Sequence, residues 1–191
     1  GKFKIPAFEL HKGELLGIYL YNGLHSHHLR MELVSVLNSQ KTIRGLTVFE
    51  KLEFVKHFKE SKFKRHFSPT TIEAYIKNNG QHHSLTFNKI HQADSYIKRN
   101  TKIQSLAGTP RKLVSLFTTL SNTNKIVLDL AGVDPSGGDK VLDLVLESVN
   151  QGGSAILLDN YEDSEAKCTR RDFRVEYLCL VVVFFLRSIY Y

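Results

Sequence analysis

Cys168 and Cys179 are the only cysteines in 191 residues. Two cannot build a disulfide framework, so a reducing, intracellular compartment is the simpler expectation. Proline and glycine are sparse, at four and twelve residues. No low-complexity stretch or internal repeat interrupts the chain, which excludes a long linker between domains. Long apolar runs are also missing. The longest, Leu178–Leu186, reads LCLVVVFFL. It is about half of what a membrane span needs and reads best as a buried strand. The first ten residues, GKFKIPAFEL, lack the apolar stretch of a secretory signal.

With 42% hydrophobic residues, the chain can bury the core of one domain. Its net charge of +7 and pI of about 9.4 favour acidic partners: nucleic acid, anionic lipid or nucleotide phosphates.

Hydrophobic period sets the expected elements. KFKIPAFEL alternates like a strand, HKG turns, and ELLGIYL is a strand apolar on both faces. Leu29, Leu33, Val36 and Leu37 have helical spacing. GLTVFEKLEFVKHFKES predicts an amphipathic helix after Thr47, with Val48, Leu52, Val55 and Phe58 on one face. SPTTIEAYIKNNG predicts a helix with Thr70 and Glu73 as a capping box and Gly80 as its stop. QHHSLTFNKIHQADSYIKRNTK is polar and gives no clear element. PRKLVSLFTTL predicts a helix. Lys125–Asp159 reads strand–helix–strand, hence a parallel βαβ unit, with Asp134 or Ser136 as helix cap and Gly152 and Gly153 at its close. Residues 164–191 show no assignable pattern.

LYNGLHSHH, from Leu20 to His28, lies between a strand and a helix, where a phosphate-binding loop would be. It has few glycines and no lysine. His25, His27 and His28 are possible zinc ligands, but three histidines in one short loop need a distant fourth ligand. An exposed polar turn is the expected reading, and His82-His83 reads as a loop likewise. KESKFKRHF and IKRNTK mix basic and aromatic residues, a weak nucleic-acid footprint without a fold-specific motif. A solvated helix face accounts for them more simply.

Taken in order, these pieces resemble the ATP-binding cassettes of ABC transporters over most of Phe3–Asp163. KGELLGIYLYNG looks like the strand and loop that open Walker A, and RGLTVFEKLEFVKHF is similar to the family's LTV-x-ENL-x-F helix. SLAGTPRKLVSLFTTL lies where the signature motif belongs, KIVLDLAGVDPSGGDKVLDLV looks like Walker B with the D-loop, and GGSAILLDNYED looks like the last strand with the switch loop. The resemblance implies an α/β fold: a P-loop NTPase-like, mostly parallel sheet flanked by helices. It would form one domain over residues 1–191, with a helical insertion at about 48–100. It also implies a vestigial nucleotide site at Asn22, Gly23, Ser26, Gln40, Gly108 and Asp129.

The departures fall on the chemistry. Leu20 and His25 stand at loop glycines, Ser26 at the lysine and His27 at the magnesium-binding hydroxyl. Leu130 replaces the catalytic glutamate, Ala107 and Thr109 replace signature residues, and Tyr161 falls on the switch histidine. A phosphate cradle needs bare backbone and a lysine, so no catalytic residue and no metal ligand is assigned. ATP binding is expected to be weak, and firm Mg²⁺ binding is not expected. The resemblance implies a degenerate cassette with little or no ATP hydrolysis, cytoplasmic and peripheral on the inner face of the cell membrane. Its partners would be an integral membrane transporter subunit and a second cassette. The alternative is a basic adaptor or nucleic-acid-associated protein on the same fold, although nucleic acid is not the expected partner.

Overall fold

The computed structural model describes residues 3–4, 8–20, 23, 25–38, 48–160 and 167–177. Five strands form the central sheet: β2 (Leu15–Tyr19), β3 (Glu53–Phe54), β4 (Lys125–Leu128), β5 (Ser154–Asp159) and β6 (Arg170–Arg174). Their order is β3-β4-β5-β2-β6, and every pair is parallel. A separate antiparallel pair joins β1 (Phe3–Lys4) to β7 (Glu176–Tyr177).

The helices are α1 (Ser26–Leu37), α2 (Lys62–Phe67), α3 (Ile72–Asn79), α4 (His83–Ala93), α5 (Gly108–Leu120) and α6 (Pro135–Asn150). Alternation along β2 sends Leu16 and Ile18 to one face, against Leu29, Leu33 and Leu37 of α1. Leu15 faces the other way, among Leu113 and Leu116 of α5 and Val141, Val145 and Val149 of α6. Each such side chain contributes about 1.5–3 kcal/mol through burial. A third cluster joins Ile72 and Ile76 of α3, Phe87 and Ile90 of α4, and Val114 of α5. The sheet is thus a middle layer, with a small helical layer leaning on the outer side of α5.

The βαβ expectation holds: β4 and β5 pair in parallel from Lys125↔Ser154 to Leu128↔Leu157, with α6 between them in sequence. Asp134 caps α6, its Oδ1 accepting from Gly137 N at 2.9 Å. Gly152 follows the helix at φ +93°, in the left-handed region. The polar stretch without a clear element contains α4, which His82 enters at φ +48°.

Residues 48–58 form no helix. Leu52 and Phe54 join the core on the α1 face, while Val55 turns to the α5–α6 face, so the buried residues alternate as a strand requires. Val55 N donates to Val127 O at 2.9 Å. The helix-like spacing of Val48, Leu52, Val55 and Phe58 is overridden by the sheet edge that β4 offers. Three helices, α2, α3 and α4, from Lys62 to Ala93, lie between β3 and α5. Thr71, not Thr70, caps α3, with Oγ1 accepting from Ala74 N at 3.3 Å. Thr70 instead donates to Glu60 through its backbone and its hydroxyl. Gly80 ends α3 as expected, its N–H donating to Ile76 O. The unassigned tail supplies β6, whose edge position against β2 demands little apolar periodicity. Leu178–Leu186 lies outside the described residues. Among the described residues no helix is long and apolar enough to cross a membrane.

Candidate functional site

The C-terminal ends of β2, β4 and β5 meet where open α/β sheets place ligands. Leu20, expected from the resemblance to replace a loop glycine, is fully buried in the α1-side core, and its N–H donates to Asp159 O at 2.7 Å. That position anchors the strand end to its neighbour and the core. Gly23 O then accepts from Ser26 N at 3.0 Å, so the first amide of α1 closes the turn. His25 is the N-cap of α1 and makes no side-chain capping bond. His27 and His28 are exposed in the first turn. Among the described residues no group of three His, Cys, Asp or Glu could hold a metal ion.

Asp129 follows β4 and is 2% exposed. Its Oδ1 accepts from His57 Nε2 at 2.7 Å, from Lys112 Nζ at 3.3 Å and from Ala131 N at 3.4 Å. Arg30 reaches Oδ2 from α1 at 3.4 Å, and its other guanidinium nitrogen donates to Asn160 Oδ1 at 2.7 Å. Lys112 also donates to Val55 O. Burial pushes the Asp129 carboxyl up, but the His57 hydrogen bond and the charges of Lys112, His57 and Arg30 prevail and hold it at about 2. Burial pushes the Lys112 ammonium down from its ordinary value, against the pull of Asp129. Nearby, the buried Asp159 Oδ2 has no hydrogen-bond partner among the described residues.

Both oxygens of Asp129 are therefore engaged by donors. A Mg²⁺ ion prefers oxygen ligands in a near-ideal octahedron. Here it would meet an ammonium and a guanidinium on the carboxylate it must share, so these residues do not fit Mg²⁺. A cavity of about 110 Å³ adjoins Lys112 and is lined by Lys56, His57, Arg111 and Gly108 among others. It is smaller than the roughly 300–1,000 Å³ of common ligand pockets.

Gly108 opens α5 hard against the loop after Asp129: a Cβ there would lie 1.7 Å from Gly132 O. Next to it, Thr109 Oγ1 donates to Asp134 Oδ2 at 2.6 Å, and a Cβ on Gly137 would meet Thr109 Oγ1 at 1.8 Å. The turn that opens α5 is locked to the loop between β4 and α6. Of the assigned nucleotide residues, Gly23, Ser26, Gly108 and Asp129 are described, whereas Asn22 and Gln40 lie outside the described residues. Ser26 and Gly108 form no hydrogen bond with Asp129; Arg30, His57 and Lys112 do, and none of the three was assigned a role from the sequence. The legible signal was Lys112, which sits one turn from Leu116 on the apolar face of α5. His57 was hidden by the helix expected over it.

No family model and no curated protein matches the sequence. Solved structures do match in shape. A putative ABC transporter ATP-binding protein from Pyrococcus furiosus superposes with a TM-score of 0.63 at 17% identity, covering 90% of this chain and 94% of its own. An inward-facing metal-chelate type ABC transporter gives 0.62 at 17% identity, over 84% and 68%. A bacterial ABC transporter cassette, solved as a dimer, gives 0.61 at 15% identity, over 90% and 88%. On the strength of the parallel sheet, its flanking helices and these superpositions, the chain has the fold of the ATP-binding cassettes of ABC transporters.

Proposed function

We propose that the chain serves as an ABC transporter ATP-binding subunit in which the cassette has become degenerate, with little or no hydrolysis. It would stay in the cytoplasm, docked on a membrane transporter subunit. The observation that carries this reading is Asp129 held by Arg30, His57 and Lys112. Phosphoryl transfer needs a positioned metal, charge on the γ-phosphate and an oriented water. Internal cations already neutralise Asp129, Leu130 supplies no base, and Ser26 supplies no charge.

Residual ATP binding would be weak, in the millimolar range. That is about −4 kcal/mol, which base and ribose contacts alone can supply. Docking needs no nucleotide, and the segment around β3 supports it: Phe49 is 94% exposed, and Lys51, Lys56 and Lys59 of the same segment are exposed as well.

The test has two arms. The purified chain, and the variant Ser26→Lys, should release no phosphate from Mg-ATP above background. Turnover that vanishes on Asp129→Asn would overturn the reading. Pull-down from membranes should recover an integral membrane protein equally with and without ATP; recovery only with ATP would point to a working nucleotide switch.

A further inference from the structure

Helix α2 alone among the described α-helices buries no residue. A six-residue helix without a packed face is marginal in water, because its nucleus is costly and no tertiary contact offsets that cost. Ser61 starts it, with Oγ accepting from Lys64 N at 3.2 Å, and Lys64, Arg65 and His66 complement the dipole in its last turn. These local devices leave its two phenylalanines unexplained. Phe63 and Phe67 are 73% and 69% exposed. They stand one turn apart on the same side, their ring centroids 4.7 Å apart with planes tilted by 41°. The His66 ring meets Phe67 edge-on at 4.9 Å.

Around this aromatic edge the charge is of one sign. At about 100° per residue, Lys62 and Lys64 flank the phenylalanines and Arg65 lies opposite. Lys59 precedes the helix and is exposed. Among the described residues none of these four cations forms an ion pair. Glu60 feels Lys64 and Arg65, but one of its oxygens is committed to Thr70, through both N–H and hydroxyl.

We propose that α2 is a membrane-surface anchor. Phe63 and Phe67 enter the interfacial zone of an anionic bilayer, while Lys59, Lys62 and Lys64 meet its headgroups. Helices that lie in a lipid interface carry this division, aromatic on one face and cationic on the flanks, with lysine stems reaching outward to the headgroups. Single-stranded nucleic acid fits less well. The two rings lean on one another, 4.7 Å apart and tilted by 41°, which leaves no slot between them for a base. The contact is with lipid itself and does not rest on docking to a transporter subunit.

The test uses the full chain with protein-free vesicles, so its outcome is separate from that of subunit docking. The chain should co-sediment with phosphatidylcholine vesicles containing phosphatidylserine, and not with phosphatidylcholine alone. Binding should weaken as salt rises. The double variant Phe63→Ala with Phe67→Ala should lower the partition coefficient about tenfold or more. Its melting temperature should not move, since neither ring is buried. Lys62→Glu with Lys64→Glu should abolish the preference for anionic lipid. Equal binding by the alanine variant, equal binding to neutral vesicles, or binding of single-stranded RNA in place of vesicles would each overturn the proposal.

Discussion

His57 Nε2 lies 2.7 Å from Asp129 Oδ1, joining the end of β3 to the end of β4 across the top of the sheet. The two residues are 72 apart in sequence. They meet because Val55 N pairs with Val127 O and brings the two chains out of the sheet side by side. Arg30 and Lys112 complete the ring from opposite layers, α1 and α5. Asp129 thus ties together both helical layers that sandwich the sheet.

A buried charge cluster of this kind predicts a large cost for removing its centre. Asp129→Asn leaves Lys112 and Arg30 without their shared counter-ion and should destabilise the chain by roughly 3–5 kcal/mol. Adding Lys112→Met should recover part of that loss, because the buried ammonium goes with its partner. Urea denaturation of the two variants and the wild type checks this. Asp129→Asn matching the wild type in midpoint would show that the carboxylate carries no structural charge role.

The same carboxylate sets an acid limit. Its folded value of about 2 lies below the 3.8 of a free side chain, so the stabilisation is fully present above about pH 5. It is lost progressively as pH falls from about 5 towards 2, for a total of roughly 2 kcal/mol. Urea midpoints measured through this window should fall less steeply for Asp129→Asn than for the wild type. Parallel curves would assign the acid loss to other groups.

The contact between α5 and the loop after β4 predicts intolerance at one glycine. Gly108→Ala drives a methyl into the Gly132 carbonyl and should cost about 1–3 kcal/mol, read as a lower melting temperature. Gly13→Ala makes a useful contrast. Nothing lies within 4 Å of the added carbon there, so the penalty comes from the backbone at φ +83° alone. A Gly108→Ala protein that melts with the wild type would mean that the loop yields freely.

The sequence by itself determined the parallel core. Continuous apolar runs at Leu15–Tyr19, Lys125–Leu128 and Ser154–Asp159 can be satisfied only between two helical layers, and the caps at Asp134 and Gly80 are local chemistry that needs no distant partner. It also determined that no lysine stands in the turn from Leu20 to His28 and that Leu130 follows Asp129. Tertiary structure decided the rest. Residues 48–58 carry a spacing compatible with helix, and only the open edge of β4 makes Glu53–Phe54 a strand. β6 carries too little apolar alternation to announce itself, and the edge of β2 selects it. The environment of Asp129 is decided the same way. Arg30, His57 and Lys112 are ordinary basic residues along the chain, and they become its counter-ions because sheet order and helix packing bring three distant segments to one carboxylate.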